Sequence, residues 1–504
     1  MKSRKKWSQH LYKTPQDRPI SATSSLSDNV DYLQRSCFYT DDLITRNLPY
    51  NNNKAMILYL VSLSDVEKIQ KAIVEPLLLL KNCSVEEAVP VNFKKTNNLV
   101  EAEFALNAGQ CLLVSEGSET IYIIDTYIPV KRAIEEPGNE QVIRGSHEGF
   151  VEHMQTNLHM IRKRINHPNF TVRQFIVGRL TNTKISVLYI NKLAKDELIE
   201  EIERRIRSIS SDSIQTPGFI EEFIEDTPFS PFPQVLNTER PDRVAANLLD
   251  GKAAILMEGS PTVLIAPATF FSLYQSPDDY NTRSLVGSFF RLIRLASFII
   301  AILVPAFYIS LISFHYEVIP IDMIFSVKSG LTNVPFPPLI EAAFMQITLE
   351  LLKEAGIRLP RPIAPTIGIV GGLVIGNAVV QANLVSNIMI VVVAITAISS
   401  FVVPSNEMST VLRILGFPFM IAAATFGFIG IVFALMLLLM HLCKLESFGS
   451  PYFAPFAPIN WKDIKDTIIR VPRWKMNTRP KDAHPSIEKN EYYSREWKNN
   501  DKQK

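Results

Sequence analysis

The chain is poor in the residues that build covalent, metal or catalytic frameworks. Among its 504 residues there are 4 cysteines, Cys37, Cys83, Cys111 and Cys443. None stands in a CxxC spacing, which argues against a zinc site or a disulfide scaffold and fits a reducing compartment. No GxxxxGK[ST] phosphate loop, HExxH, GxSxG elbow or EF-hand loop occurs, so neither a catalytic constellation nor a cofactor is expected. The formal net charge of +2 points to no polyanionic partner, and no basic stripe interleaved with aromatics suggests nucleic acid. The N-terminal run "MKSRKKWSQHLYKTPQDRPISATSS" is basic but lacks the apolar core of a secretory signal. The soluble half is therefore expected to stay in the cytoplasm.

What is present divides the chain. Up to about residue 285 charged and apolar residues mix as in soluble domains; from Leu292 to Met440 apolar residues dominate; beyond His441 the chain turns polar and basic. The expected fold class is an α/β N-terminal region of two subdomains followed by an α-helical polytopic membrane domain. The expected boundaries are a disordered basic arm over 1–26, subdomains over 27–145 and 146–285, the membrane domain over 286–445 and a basic cytoplasmic tail over 446–504.

In the first subdomain "KAMILYLVSL" reads as a buried strand, and "SDVEKIQKAIVEPLLLL" as a helix capped by Ser64. In the second, "FTVRQFIVGRL" and "KISVLYINKL" read as strands, and "AKDELIEEIERRIRSIS" as an amphipathic helix with i,i+4 charge pairs. Two segments match in spacing, "GQCLLVSEGSETIYIIDT" from Gly109 and "GKAAILMEGSPTVLIAPA" from Gly251. Each suggests a hairpin turning at Glu-Gly-Ser, with Gly117 and Ser118 in one and Gly259 and Ser260 in the other, because glycine tolerates the positive φ that tight turns require. Ligand binding by these turns is the alternative. "RGSHEGF", Arg144 to Phe150, is either a small polar site or a loop leading into a helix with Glu148 in its first turn.

The apolar half offers four candidate spans: Leu292–Phe314, Ile363–Leu384, Asn387–Val403 and Phe417–Met440. Arg283 and Arg291 precede the first and Arg294 stands at its start, and Lys444, Lys462, Lys465, Arg470, Arg473 and Lys475 follow the last, so both ends are expected inside. Four spans leave "RLPRP", with Arg358 and Arg361, facing outward; a fifth span corrects that loop and places the tail outside. The favoured arrangement is four crossings plus an amphipathic or re-entrant helix over 338–356. On that helix Gln346, Glu350, Lys353 and Glu354 share a face, while Glu341 falls in the first turn, where it complements the helix dipole. These polar side chains suggest either an interfacial helix or one lining a pore. In "PTIGIVGGLVIGNAVVQANLVSN", Gly368, Gly372 and Gly376 recur every four residues and invite close helix packing, and Asn377 and Gln381 share a face. Buried amides need partners, which implies a bundle or a homo-oligomer.

The run "PPLIEAAFMQITLELLKEAGIRLPRPIAPTIGIVGGLVIGNAVVQANLVSNIMIVVVAITAISSFVVPS", Pro337 to Ser405, resembles the membrane core of the A subunits of spore germinant receptors, the GerA family. So do "RGSHEGF", "FIVGRLTNTKISVLYI" and "RVAANLLDGKAAILMEGSPTVLIAPATFFSLYQSPDDY", and the resemblance extends from about Asp31 to Lys465. Ala343, Ala364, Gln346, Asn377 and Gln381 stand where relatives often carry other residues. The resemblance implies a non-enzymatic, multi-pass subunit in the inner membrane of bacterial endospores, acting with a transporter-like B subunit and a lipoprotein C subunit. It further implies that the B subunit captures a nutrient and that the A subunit oligomerises into a nutrient-gated path for ions. Within the same superfamily, an accessory channel like the stage V sporulation protein AF is the alternative; a membrane-tethered enzyme is a third.

Overall fold

The computed structural model describes residues 20–50, 53–79, 84–128, 136–332, 334–360 and 364–490. The N-terminal half contains two five-stranded sheets built on one plan. The first joins β1 (Leu43–Tyr50), β2 (Asn53–Leu60), β3 (Phe93–Thr96), β4 (Cys111–Ser115) and β5 (Ile121–Ile124) in the order β1-β2-β4-β5-β3. The second joins β6 (Phe170–Val177), β7 (Thr183–Ile190), β8 (Leu236–Thr238), β9 (Ala253–Met257) and β10 (Val263–Ala266) in the order β6-β7-β9-β10-β8. Every ladder is antiparallel. Strand for strand the second sheet repeats the first, so the matched hairpin segments are one part of a larger internal duplication.

The Glu-Gly-Ser turns show why they recur. Gly117 and Gly259 have φ of 77° and 83°, and a Cβ on either would meet only open space, so conformation and not crowding demands glycine. Ser118 Oγ accepts from the Thr120 amide at 3.1 Å, and Ser260 Oγ from the Thr262 amide at 3.2 Å. The Gly117 amide donates to Ser24 O and the Gly259 amide to Glu152 O, both at 2.8–2.9 Å. Each turn thereby holds the chain leading into its unit's first helix, α1 (Leu26–Ser36) or α2 (Met154–Arg164). These bonds give the turns a structural task.

Local expectations differ from the structure in four places. Ser64 does not cap the helix after β2; Asp65 does, accepting from the Lys68 amide, while Ser64 Oγ donates to Gly109 O. Glu148 lies outside α2, whose cap is His153, and it pairs with Arg164 instead. The expected arm divides: residues 1–19 lie outside the described residues, but the Ala22 amide donates to Asn97 O at 2.7 Å and Ala22 is buried. Backbone pairing of this kind needs no side-chain period and leaves no trace in hydropathy. The tail, through Asn490, folds back on the second unit, where Lys252 pairs with Asp482 at 2.8 Å and the Arg479 guanidinium donates to Leu249 O at 2.7 Å.

On the second sheet lie α3 (Asp196–Ser208), α4 (Pro217–Ile224) and α5 (Pro241–Leu249). Helix α3 buries Leu198, Ile199, Ile202 and Ile206 on one side and pairs Glu201 with Arg205 and Glu203 with Arg207 on the other. The two units meet through a buried ion pair, Asp42 to Arg162, with Nη2–Oδ1 at 2.7 Å and Nε–Oδ2 at 2.9 Å. Burial alone would push the Asp42 carboxyl up, but the Arg162 charge and hydrogen bonds from Arg162, Ser62 and Thr40 hold it below its usual range.

The C-terminal half is helical: α6 (Ser284–Ser313), α7 (Ile321–Thr332), α8 (Pro338–Arg358), α9 (Ala364–Gln381), α10 (Asn387–Phe401) and α11 (Asn406–Lys444). Among the described residues α6 and α11 are long and apolar enough to cross a membrane. Helix α11 is not straight. Gly427 has φ 61° and ψ −141°, and the chain reverses there: a Cβ on Gly430 would fall against the Ala422 carbonyl, eight residues back, which in one helix would lie about 12 Å away. The expected span Phe417–Met440 therefore straddles a reversal and is two limbs of a hairpin.

Candidate functional site

The hairpin fixes the direction of every long helix. Helix α6 starts against the sheets, where Arg291 and Arg294 pair with the buried Asp279 at 3.0 and 2.7 Å. It ends beside the reversal, where the His315 and Phe428 rings stack at 4.5 Å. The second limb of α11 returns to the sheet end, where His441 Nε2 and Ser230 Oγ hydrogen-bond at 2.9 Å. The first limb begins there too: the Glu407 charge acts on Glu221 and Glu225 of the second unit.

Between these, α8 starts at the far end. Its Glu341 Oε2 accepts the Ser386 amide at 2.9 Å, and Ser386 Oγ lies 3.3 Å from Tyr308 Oη, near the end of α6. Helix α8 finishes at the sheet end, with Lys353 Nζ 5.7 Å from the Phe401 ring centroid and Glu350 Oε2 3.2 Å from Arg413 Nε. Helix α9 goes back, α10 returns from Ser386 to Phe401, and Ser409 Oγ donates to Ser400 O at 2.8 Å where α10 meets α11. Helices α6, α8, α9, α10 and the two limbs of α11 thus pass through the bundle six times, starting and ending at the sheets.

The polar residues singled out on sequence divide into two groups. Glu341 and Gln346 face the interior of the bundle, while Lys353 is half-buried and Glu350, with its side chain 49 % exposed, reaches Arg413 from the bundle's surface. Glu341 is 1 % exposed, its Oε2 sits on the N-terminus of α10, and its Oε1 is buried with no hydrogen-bond partner among the described residues. Gln346 is buried against Gly416, where even a Cβ would come within 3.6 Å of its Nε2. Glu354 turns outward to pair with Arg358 at 2.6 Å, so it leaves the face that the helical period assigned to it. The second group lies on the outside: Asn377 and Gln381 are exposed, and a Cβ on Gly372 or Gly376 would meet nothing within 4 Å. The side-chain surroundings at Gly368 lie outside the described residues. On this helix it is Gly371 that packs closely, since a Cβ there would come 3.2 Å from Leu352 Cδ2.

Three members of the seam escaped the sequence reading: Arg413, Tyr308 and Ser386. Arg413 carried a signal, being the only lysine or arginine between Arg361 and Lys444. A charge in an apolar run marks a functional position by default. Its Nη1 is buried with no hydrogen-bond partner among the described residues, and its Nη2 donates to Thr410 Oγ1 at 2.8 Å. Ser386 and Tyr308 gave none, since a lone hydroxyl in an apolar segment is ordinary. At the sheet end, burial and then the charges of Glu407, Glu225 and Glu222 push the Glu221 carboxyl up to about 8.

"RGSHEGF" is held as a strap: Arg240, fully buried, donates to Ser146 O at 2.9 Å and pairs with Asp242 at 2.7 Å. A polar cavity of about 560 Å³ opens where the units meet, lined by Asp41, Arg173, Tyr189, Asn191 and Glu203 among others. Among the described residues no cluster of His, Cys, Asp and Glu has the grouping of a metal centre. The bundle's interior brings a buried carboxylate, an amide and hydroxyls together along six apolar passes, with the Glu350–Arg413 pair at its sheet end.

The model of the family described as Bacillus/Clostridium GerA spore germination protein matches residues 31–482. Spore germination protein B1 of Bacillus subtilis (strain 168) is 39% identical over 467 residues, covering 91% of this chain and 97% of the relative. Spore germination protein KA of the same organism is 37% identical over 476 residues, covering 92% and 88%. Among solved structures, the N-terminal domain of the A subunit of the Bacillus megaterium spore germinant receptor GerK3 is 28% identical, covers 50% of this chain and 98% of that chain, and superposes with a TM-score of 0.39.

Proposed function

Since the chain belongs to the GerA family of spore germination proteins, we propose that it is the A subunit of a nutrient-sensing germinant receptor in the inner membrane of the spore. It oligomerises, acts with a transporter-like B subunit and a lipoprotein C subunit, and conducts ions when the B subunit captures nutrient. Nutrient need only favour the conducting arrangement over the closed one.

Glu341 carries this reading. An ionisable side chain buried inside membrane-spanning helices is costly and is kept where ions or protons pass. The six passes support it further by removing the conflict in the crossing count. With six crossings the N-terminal half, the basic tail and the "RLPRP" loop all lie on one side, and the positive-inside trend is obeyed at each. The exposed Gly372 on one side of α9, and Asn377 with Gln381 on another, are left for contact with other copies.

The test is ion release from spores, or conductance of the complex reconstituted with its B and C partners, on addition of nutrient. Glu341→Gln and Glu350→Ala are expected to alter the ion current while assembly persists. Unchanged currents in both would refute the seam as the path. Deleting the gene separates two roles: loss of response to one nutrient class fits the receptor, and slowing with every nutrient fits an accessory amplifier.

A further inference from the structure

We propose that the segment Ile459–Ile469 of the C-terminal tail is a strap that docks on the cytoplasmic leaflet and binds anionic phospholipid. It rests on the membrane location proposed above.

Both ends of the segment are pinned where α6 enters the bundle. Before it, Phe456 packs on Phe271 with ring centroids 5.1 Å apart, Phe271 on Phe270 at 5.1 Å, and Phe270 on Phe298 of α6 at 5.2 Å. Towards its other end, Asp466 Oδ1 receives Arg291 Nη1 at 2.8 Å, and Ser288 Oγ donates to Arg470 O at 3.1 Å just beyond it. Ser288 and Arg291 stand one or two turns before Leu295, where the uncharged apolar run of α6 begins past Arg294, a rise of about 5–10 Å, which is the depth of the headgroup layer.

Held at that level, the segment turns its apolar and basic side chains outward. Trp461 is 77 % exposed, Ile459 64 % and Ile469 54 %, and Lys462 and Lys465 are exposed between them. Burying none of these in the protein would be wasteful at a water-facing surface. At a lipid interface each has a place: indole and isoleucine at the boundary of headgroup and acyl chain, ammonium groups among the phosphates. Of the segment's acids, Asp466 is neutralised by Arg291, and Asp463, held by Asn460 and the Lys481 amide, offsets only one of the two lysines, so the outward side stays net positive. The same neighbourhood carries exposed Leu285, Phe289 and Phe290 on α6, continuous with the strap. Because Arg291 also grips Asp279, the strap, the second sheet unit and the first membrane helix move as one body.

The experiment uses the full chain in nanodiscs, with Trp7→Phe, Trp474→Phe and Trp497→Phe leaving Trp461 as the single indole. In discs containing phosphatidylglycerol brominated on its acyl chains, Trp461 emission is expected to fall about twofold relative to unbrominated lipid, and much less when the brominated lipid is phosphatidylcholine in discs without anionic lipid. The pair Lys462→Glu with Lys465→Glu should abolish the difference between the lipids. Emission unaffected by either brominated lipid, with free quenching by aqueous iodide, overturns the strap while leaving the membrane reading intact. Protection that tracks protein per disc and not lipid charge also overturns it, since a second copy is then the partner. A chain that does not integrate into discs at all refutes the membrane reading and the strap with it.

Discussion

The reversal at Gly427 is the feature on which the six-pass arrangement depends, and a single methyl group tests it. In Gly427→Ala two costs add. The backbone stands at φ 61°, ψ −141°, a conformation that side chains other than glycine rarely adopt, worth about 1–3 kcal/mol of strain. The new Cβ would also lie 3.0 Å from His315 Nε2 and 3.2 Å from Phe314 Cβ, contacts tight enough that the end of α6 must shift, at roughly 1–3 kcal/mol. The sum is about 2–6 kcal/mol, whose upper end reaches the whole stability of a small domain. The control is Gly372→Ala, where the Cβ meets nothing within 4 Å. Thermal unfolding of the full chain in nanodiscs should show a large loss for the first variant and none for the second. Topology is read independently with a membrane-impermeant thiol reagent. Native Cys443 and an engineered Asn406→Cys, at opposite ends of α11, should both react from the face that carries the sheets. Labelling from opposite faces, or a Gly427→Ala variant as stable as the parent, would refute the hairpin.

Other expectations follow from the same geometry. Arg162→Leu strands Asp42 as a buried unpaired carboxylate and should destabilise the N-terminal half by about 3–5 kcal/mol in denaturant unfolding. Because the Asp42 carboxyl is held below its ordinary value, the pair's contribution is present at neutral pH and lost as pH falls below about 4. Glu221 has the opposite sign. Its folded-state carboxyl is raised to about 8, so its proton favours the folded form, and stability should decline as pH rises from about 5 through 8. Glu221→Gln should flatten that slope in melting curves recorded across the range, and a slope left unchanged would contradict the burial of the group. Arg413→Leu should alter nutrient-triggered ion release by removing the partner of Glu350, with assembly retained on native gels. Gly372→Leu should block assembly while leaving the protomer folded, as read by crosslinking and by unfolding.

Several of these features were open to inspection before any coordinates. The hairpins at Gly117 and Gly259 could be read because a turn's conformational demand is local and glycine answers it visibly. The helix Pro338–Arg358 could be read because the α-helical period is local too, but its polar residues part company, Gln346 being buried and Glu350 and Glu354 exposed. The helix starts were missed by a residue in one place and by a turn in another, at Ser64 and Glu148. Several polar residues in succession can each serve as a cap, and tertiary bonds choose among them: Ser64 to Gly109, Glu148 to Arg164. Arg413 was overlooked although its isolation in an apolar run marked it.

The sequence by itself determined the division into a mixed half and an apolar half, the repeated hairpins and the basic ends, because composition and period report how each residue meets its immediate surroundings. Only the tertiary structure decided what those surfaces meet. An apolar run reads the same against lipid or protein, straight or folded back, so the reversal inside Asn406–Lys444, the inward turn of Glu341 and the outward face of Gly372 and Gly376 had to wait for the packing. The physical reason is that burial depends on which elements the chain brings together across hundreds of residues, as Asp42 finds Arg162 and Arg291 finds Asp466.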